Sequence, residues 1–174
     1  MALLKVPITP DDHIQGDERA PVKLVEYGDY ECPYCGRAYP IVKRVQTHFG
    51  ERLLFVFRNF PLKEMHPNAE GAAEAAEFAA AHGRFWEMHD GLYENQADLG
   101  LDLLLELAKT LRLSVPDIRD ALTQRQYAAR IRADFLGGVR SGVNGTPTFF
   151  INGRRHDGPF EFEDLVAAIE AADE

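Results

Sequence analysis

Cysteine is almost absent from this chain: two occur in 174 residues, and both fall within one four-residue window. That scarcity excludes a disulfide-stapled scaffold, which needs several bridges. Positive charge is also short. Nineteen Lys and Arg stand against 28 Asp and Glu, giving a formal net charge of −9 at pH 7. The balance argues against a nucleic-acid phosphate footprint, and no Lys/Arg run suggests an anionic membrane surface. No apolar stretch approaches the ~20 residues that a membrane span needs. The opening MALLKVPITP lacks the apolar region, roughly 7–15 residues long, of a secretory signal. A cytoplasmic location is therefore expected, or a periplasmic or secreted one if a leader has been removed. Gly-rich phosphate loops, internal repeats and low-complexity tracts are missing too. What is plentiful is apolar material, 45% of the chain, enough for a core and too much for disorder. The search for chemistry starts at the two thiols, as a redox pair or as metal ligands.

The patterning along the chain is α/β. Thr9 to Asp12 reads as a turn and Ile14 to Arg19 as loop. Val22 to Tyr27 is rich in β-formers and reads as a strand. From Cys35 onward, Ala38, Ile41, Val42, Val45 and Phe49 recur at helical spacing, with Gly50 as a stop. Leu53 to Phe57 is apolar throughout, as in a central strand covered on both faces. Strand, helix, strand predicts a parallel βαβ unit. Between Pro61 and about Gly142 the strand pattern disappears. Five helices are expected there, the first opening near Pro67 and the fourth capped by Ser114. The sheet resumes at Thr148 to Ile151. Asn152-Gly153 is a hairpin turn signal, so Arg154 to His156 should return antiparallel. Phe162, Leu165, Val166 and Ile169 mark a last amphipathic helix. The expected units are 1–62 with 143–174, and an all-helical insertion at 63–142.

Cys32-Pro33-Tyr34-Cys35 falls where the first strand gives way to the first helix. A helix N-terminus favours negative charge, and the thiolate is the form that attacks disulfides. Cys32 should sit at the first turn and Cys35 one turn on, within reach of a mixed disulfide at Cys32. Pro33 suits the first helical position. The same spacing also opens many zinc sites, for which His82 and His89 are the best-spaced further ligands. They stand seven residues apart on a helix. Zinc and inert buried thiols are the competing readings, and no metal is expected. Trp86, with Phe85 and Met88, reads as core rather than a peptide groove, and Arg154-Arg155 as a solvated hairpin face. His156 has no sequence neighbour that would make it part of a triad.

EYGDYECPYC, Pro40 and GVNGTPTFFING together resemble the thioredoxin superfamily. With a helical block between the second and third predicted strands, the chain is similar to its DsbA-like branch: a thioredoxin fold carrying an inserted helical domain. The resemblance covers about Ala20 to about Ile169. It implies a thiol:disulfide oxidoreductase in which Cys32 attacks and Cys35 resolves. It makes Pro147 a cis-proline facing the thiols, with the Thr146 backbone free to pair with an extended substrate. Glu26 corresponds to the acid often found beneath the disulfide, able to accept the Cys35 proton. Its competing reading is an exposed strand carboxylate. Pro40 implies a kink in its helix.

Strongly oxidising relatives carry His between the cysteines, where this chain has Tyr34. A weaker oxidant is therefore expected, partly compensated by a Thr146 hydroxyl bonded to a sulfur. The resemblance implies no cofactor beyond the Cys32–Cys35 disulfide, with glutathione as a possible electron donor. The partners implied are protein thiols and disulfides, with a redox partner protein or glutathione. The alternative is a glutathione-dependent enzyme on the same fold, glutaredoxin-like or an isomerase. Relatives of the isomerase kind put Ser in place of the first cysteine and lack the second.

Overall fold

The computed structural model describes residues 2–174. Five strands form one mixed sheet in the order β1-β3-β2-β4-β5. They are β1 (His13–Gln15), β2 (Val22–Gly28), β3 (Leu53–Asn59), β4 (Thr148–Ile151) and β5 (Arg154–His156). β2 runs parallel to β3, and the other neighbours are antiparallel. The parallel pair is joined through α1 (Pro33–Phe49), the expected crossover. Five helices separate β3 from β4: α2 (Ala69–Ala80), α3 (Phe85–Glu94), α4 (Leu101–Thr110), α5 (Val115–Gln124) and α6 (Ala128–Arg140). α7 (Phe162–Ala172) closes the chain.

The period of two along the central strands divides the core. Val22 and Leu24 of β2, with Leu53, Phe55 and Phe57 of β3, join a cluster with α1, α2, α3 and α7. Val25, Tyr27, Leu54 and Val56 enter a second cluster with Phe60, Val143 and Phe150. Every residue of β3 is buried, as its unbroken apolar run predicted, and the run carries Arg58 and Asn59 inside with it. The larger cluster passes from the sheet into α2 and α3 without a break. Among the described residues no helix is long and apolar enough to cross a membrane.

Several local signals act as read. Ser114 Oγ accepts the Asp117 N–H at 3.2 Å, capping α5. Asn152 and Gly153 both take positive φ, 47° and 81°, which a two-residue hairpin turn requires. α1 runs on through Pro40. Two readings need correction. Ile14 and Gln15, read as loop, belong with His13 to an edge strand whose residues pair with Phe55 to Phe57. No β-propensity marks it; the His13 ring stacks on Phe85 at 3.7 Å, and its Nε2 meets Glu77 at 2.8 Å. Pro67 lies outside α2, because Asn68 is the N-cap.

Candidate active site

The central strand β2 ends at Gly28, and Asp29 to Glu31 turn the chain into α1. Cys32 occupies the N-cap in extended conformation, and Pro33 fills the first helical position, where a missing N–H costs nothing. Both cysteines are free thiols. Cys32 is 3% exposed and Cys35 fully buried, whereas Tyr34 between them stands 61% exposed. The Thr146–Pro147 peptide is cis. The Thr146 carbonyl lies 3.5 Å from Cys32 Sγ, which donates to it when protonated. The Thr146 main chain thus has a partner in the dithiol, rather than lying wholly free for a substrate. Thr146 Oγ1 is buried without a hydrogen-bond partner of normal geometry, yet its side chain lies near enough to the sulfur to favour the Cys32 thiolate.

The two thiols are pushed apart electrostatically. The Cys35 S–H beside Cys32 is the largest influence on it and holds its pKa down to about 5. Burial opposes this, while the Thr146 side chain and the N–H groups of Cys35 and Tyr34 reinforce it. Burial, followed by the Cys32 sulfur and the Glu26 charge, drives Cys35 well above the ordinary thiol range. The Asp29 N–H donates to Cys35 Sγ at 3.5 Å and pulls the other way. One thiol is therefore poised as an anion and the other held as an acid.

Glu26 is not an exposed strand carboxylate. It is 2% exposed in the central strand, between Phe57 and Phe149 of the flanking strands. Its Oε1 has no hydrogen-bond partner. Burial, and then the Cys32 charge, raises its pKa to about 8. A slot of about 10 Å³, roughly one water in size, touches Glu26, Tyr93 and His89 and the outer side chains Lys43 and Gln46.

The competing site readings fall elsewhere. His89 is buried and shares a 2.9 Å hydrogen bond with Tyr30 OH; His82 Nδ1 meets the Phe78 carbonyl. Among the described residues no three His, Cys, Asp or Glu side chains converge as a metal group. Phe85 and Met88 are core, and Trp86 Nε1 donates to the Ile14 carbonyl. The Arg155 guanidinium reaches Asp157 and the Gly142 carbonyl, and His156 Nε2 meets the Pro159 carbonyl. Sequence reasoning missed Asp29, His66, Asn68, Tyr93 and Gln96, all packed around the thiol loop. Only Asp29 lay inside a motif, EYGDYECPYC, which gave it no role of its own.

A dithiol at a helix start, facing a cis-proline across a thioredoxin-type sheet with a helical insertion, defines the DsbA-like class of that fold. Comparison with known proteins agrees, and the chain belongs to the thioredoxin family, whose model, described as "Thioredoxin", matches residues 8–171. The structure is similar to oxidised BdbD from Bacillus subtilis (TM-score 0.89, 24% identity, 99% of this chain and 98% of that one). It is also similar to a thioredoxin-like oxidoreductase from Silicibacter pomeroyi DSS-3 (0.82, 25%, 94% and 93%). Wolbachia pipientis alpha-DsbA1 shares the fold (0.83, 19%, 98% and 94%). In sequence it resembles a protein of Salinispora arenicola named Na(+)/H(+) antiporter NhaA 1, at 49% identity over 170 residues. The match covers 97% of this chain and 26% of that protein. The chain spans about a quarter of the length of the curated relatives it matches.

Proposed function

We propose that this chain is a thiol:disulfide oxidoreductase that exchanges disulfides with protein substrates through Cys32 and Cys35. The observation that carries the reading is the opposed setting of the two thiols. Cys32 is held toward thiolate at the start of α1, and Cys35 is kept protonated one turn deeper. In the reducing direction, the Cys32 thiolate attacks one sulfur of a substrate disulfide. The other sulfur leaves as a thiolate, and a mixed disulfide remains. Cys35 then gives its proton to Glu26 and attacks Cys32 Sγ, releasing the second substrate thiolate and closing the Cys32–Cys35 disulfide. The substrate gains two electrons and the protein loses two.

Pro33 and Tyr34 support the site: the one starts the helix, the other presents an exposed ring beside the nucleophile. As thiolate or mixed disulfide, Cys32 has no S–H to give Thr146, and that carbonyl can accept a bond from an extended substrate segment. A groove of about 570 Å³ is lined by Pro61, Leu62, Met65, Ile131 and Phe135 with the charged Lys63, Glu64, Glu70, Arg125 and Arg132, and Leu62 ties its rim to the thiol loop through the Asp29 carboxylate. Residues 63–142 serve as an inserted domain covering the site. No cofactor beyond the cysteines is needed, and electrons come from glutathione or a redox partner protein. In the cytoplasm the pair would rest mainly as the dithiol; recovery mainly as the disulfide would point to an exported compartment. The antiporter name belongs to the much longer relatives, and no ion transport is carried over to this chain.

The test is alkylation of the reduced protein across pH, coupled to turnover of a disulfide-bonded peptide. Labelling should fall on Cys32 with a midpoint near the value of about 5 set by its surroundings, and Cys35→Ser should trap the mixed disulfide. Equal labelling of both thiols would overturn the assignment. A Cys35→Ser variant that keeps full turnover with glutathione would favour the glutathione-dependent alternative.

A further inference from the structure

The residues leading into the first thiol, Asp29-Tyr30-Glu31-Cys32, are each hydrogen-bonded to a group between residues 62 and 96. Asp29 Oδ2 accepts from the Leu62 N–H at 2.9 Å and pairs with His66 Nδ1 at 2.8 Å. Glu31 accepts from the N–H and the side-chain amide of Asn68, both at 2.8 Å. Tyr30 OH meets His89. The remaining contact touches the redox motif itself. Gln96 Nε2 donates to the Tyr30 carbonyl at 2.9 Å and to the Cys32 carbonyl at 2.7 Å. One amide nitrogen, with its two hydrogens, thus clips both carbonyls.

Gln96 opens a short 3-10 turn, Gln96–Asp98, between α3 and α4. Its side chain crosses to α1 and fits only because Gly36 lacks a side chain: a Cβ there would lie 2.1 Å from Gln96 Oε1. The Cys32 carbonyl also accepts the first bond of α1, from Gly36 N–H at 3.0 Å. The helical block and the helix start therefore hold the same peptide.

We propose that Gln96 is a positioning residue that pins Cys32 at the start of α1 and so tunes the redox balance of the pair. The inference rests on the thiol–disulfide chemistry proposed above. The groups that stabilise the thiolate, the Cys35 S–H first and then the Thr146 side chain and the N–H groups of Cys35 and Tyr34, reach the sulfur only while Cys32 keeps its place at the helix start. Removing the clip leaves the Tyr30 carbonyl without this donor and frees the loop to move off the helix axis. Loss of thiolate stabilisation disfavours the dithiol relative to the disulfide, and the protein becomes a weaker oxidant.

The experiment equilibrates the whole chain with reduced and oxidised glutathione: protein disulfide plus two glutathione gives protein dithiol plus glutathione disulfide. Gln96→Leu keeps the bulk and removes the donors. Its equilibrium constant should fall about three- to tenfold, the net worth of about one hydrogen bond. The thiolate absorbance of Cys32 should titrate at higher pH, with circular dichroism confirming the fold. Gly36→Ala pushes Gln96 aside without deleting it and should shift both readings in the same direction. Added to Gln96→Leu, it should change nothing further. If Gln96→Leu does not fold, Gly36→Ala alone decides. Unchanged values in the folded variants, or shifts that simply add in the double variant, overturn the inference. A wild-type protein that never equilibrates with glutathione overturns the parent reading, and this one with it.

Discussion

Glu26 makes a pH-dependent prediction. Its pKa rises from 4.5 to about 8, through burial first and the Cys32 charge second. The folded protein thus keeps a proton that the unfolded chain gives up, and stability must fall as pH rises across that interval. Below about 4.5 both states are protonated and the cost vanishes. At ~1.36 kcal/mol per pH unit, the destabilisation reaches about 3 kcal/mol at pH 7 and about 5 kcal/mol above pH 8. Glu26→Gln keeps the shape and removes the titration. Its amide has its own burial cost, but that cost does not vary with pH. The assay is urea unfolding of the reduced forms over a pH series. The variant's stability relative to wild type should be flat in acid and climb by about 1 kcal/mol per pH unit toward pH 8. Resolution of the mixed disulfide should slow in the same variant, because an amide cannot take the Cys35 proton. A stability difference that is constant from pH 4 to pH 8 would refute the reasoning, since Glu26 would then titrate alike in both states.

Tyr34→His should strengthen the oxidant, because the side chain is 61% exposed and free to carry an imidazolium beside Cys32. The wild-type potential is expected between about −270 and −120 mV, and the variant should move about tenfold toward the oxidising side in a glutathione equilibrium; no movement would show that Tyr34 does not limit the potential. Arg58→Ala should cost about 3–5 kcal/mol in urea unfolding, the usual effect of breaking a buried ion pair. Its guanidinium binds both Asp12 oxygens, the carbonyls of Val6 and Pro7, and Tyr27 OH. A loss below about 1 kcal/mol would mean that Asp12 is resolvated at little cost.

The legible parts of this molecule were those written in consecutive residues. Cys32 to Cys35 after a strand, Thr146-Pro147 before one, the Asn152-Gly153 turn and the Ser114 cap each need only a few neighbours to act. Glu26 was legible as a position but not as a setting. VKLVEY alternates loosely enough to leave its carboxylate in solvent, and only pairing on both sides with Phe57 and Phe149 buries it. β1 was invisible because its strand state comes from pairing with β3 at the sheet's edge and from His13 stacked on Phe85. Gln96 was invisible for a related reason. It lies 64 residues from the carbonyl it clips, in a polar stretch that reads as a solvated loop. Arg58, at the end of an apolar strand, gave no sign of the Asp12 that lets it stay inside.

The same couplings also order the proposed reaction. While Cys32 is a thiolate, its charge raises both Cys35 and Glu26, so neither gives up a proton. The Cys35 S–H in turn stabilises the thiolate, so the dithiol holds one reactive anion and an inert partner. Bonding Cys32 to a substrate sulfur removes that charge. Glu26 then loses one of its two causes of elevation and moves toward a carboxylate able to accept a proton. Cys35, relieved of the same repulsion, becomes easier to deprotonate at that moment. Burial remains for both, so the proton passes between two groups that water barely reaches. The nucleophile is controlled from the helix start, where Gln96 acts, and the resolving step from the floor of the sheet, where Glu26 acts. Substitutions at the two places should therefore separate kinetically: Gln96 in the attack of Cys32, Glu26 in the departure of the mixed disulfide.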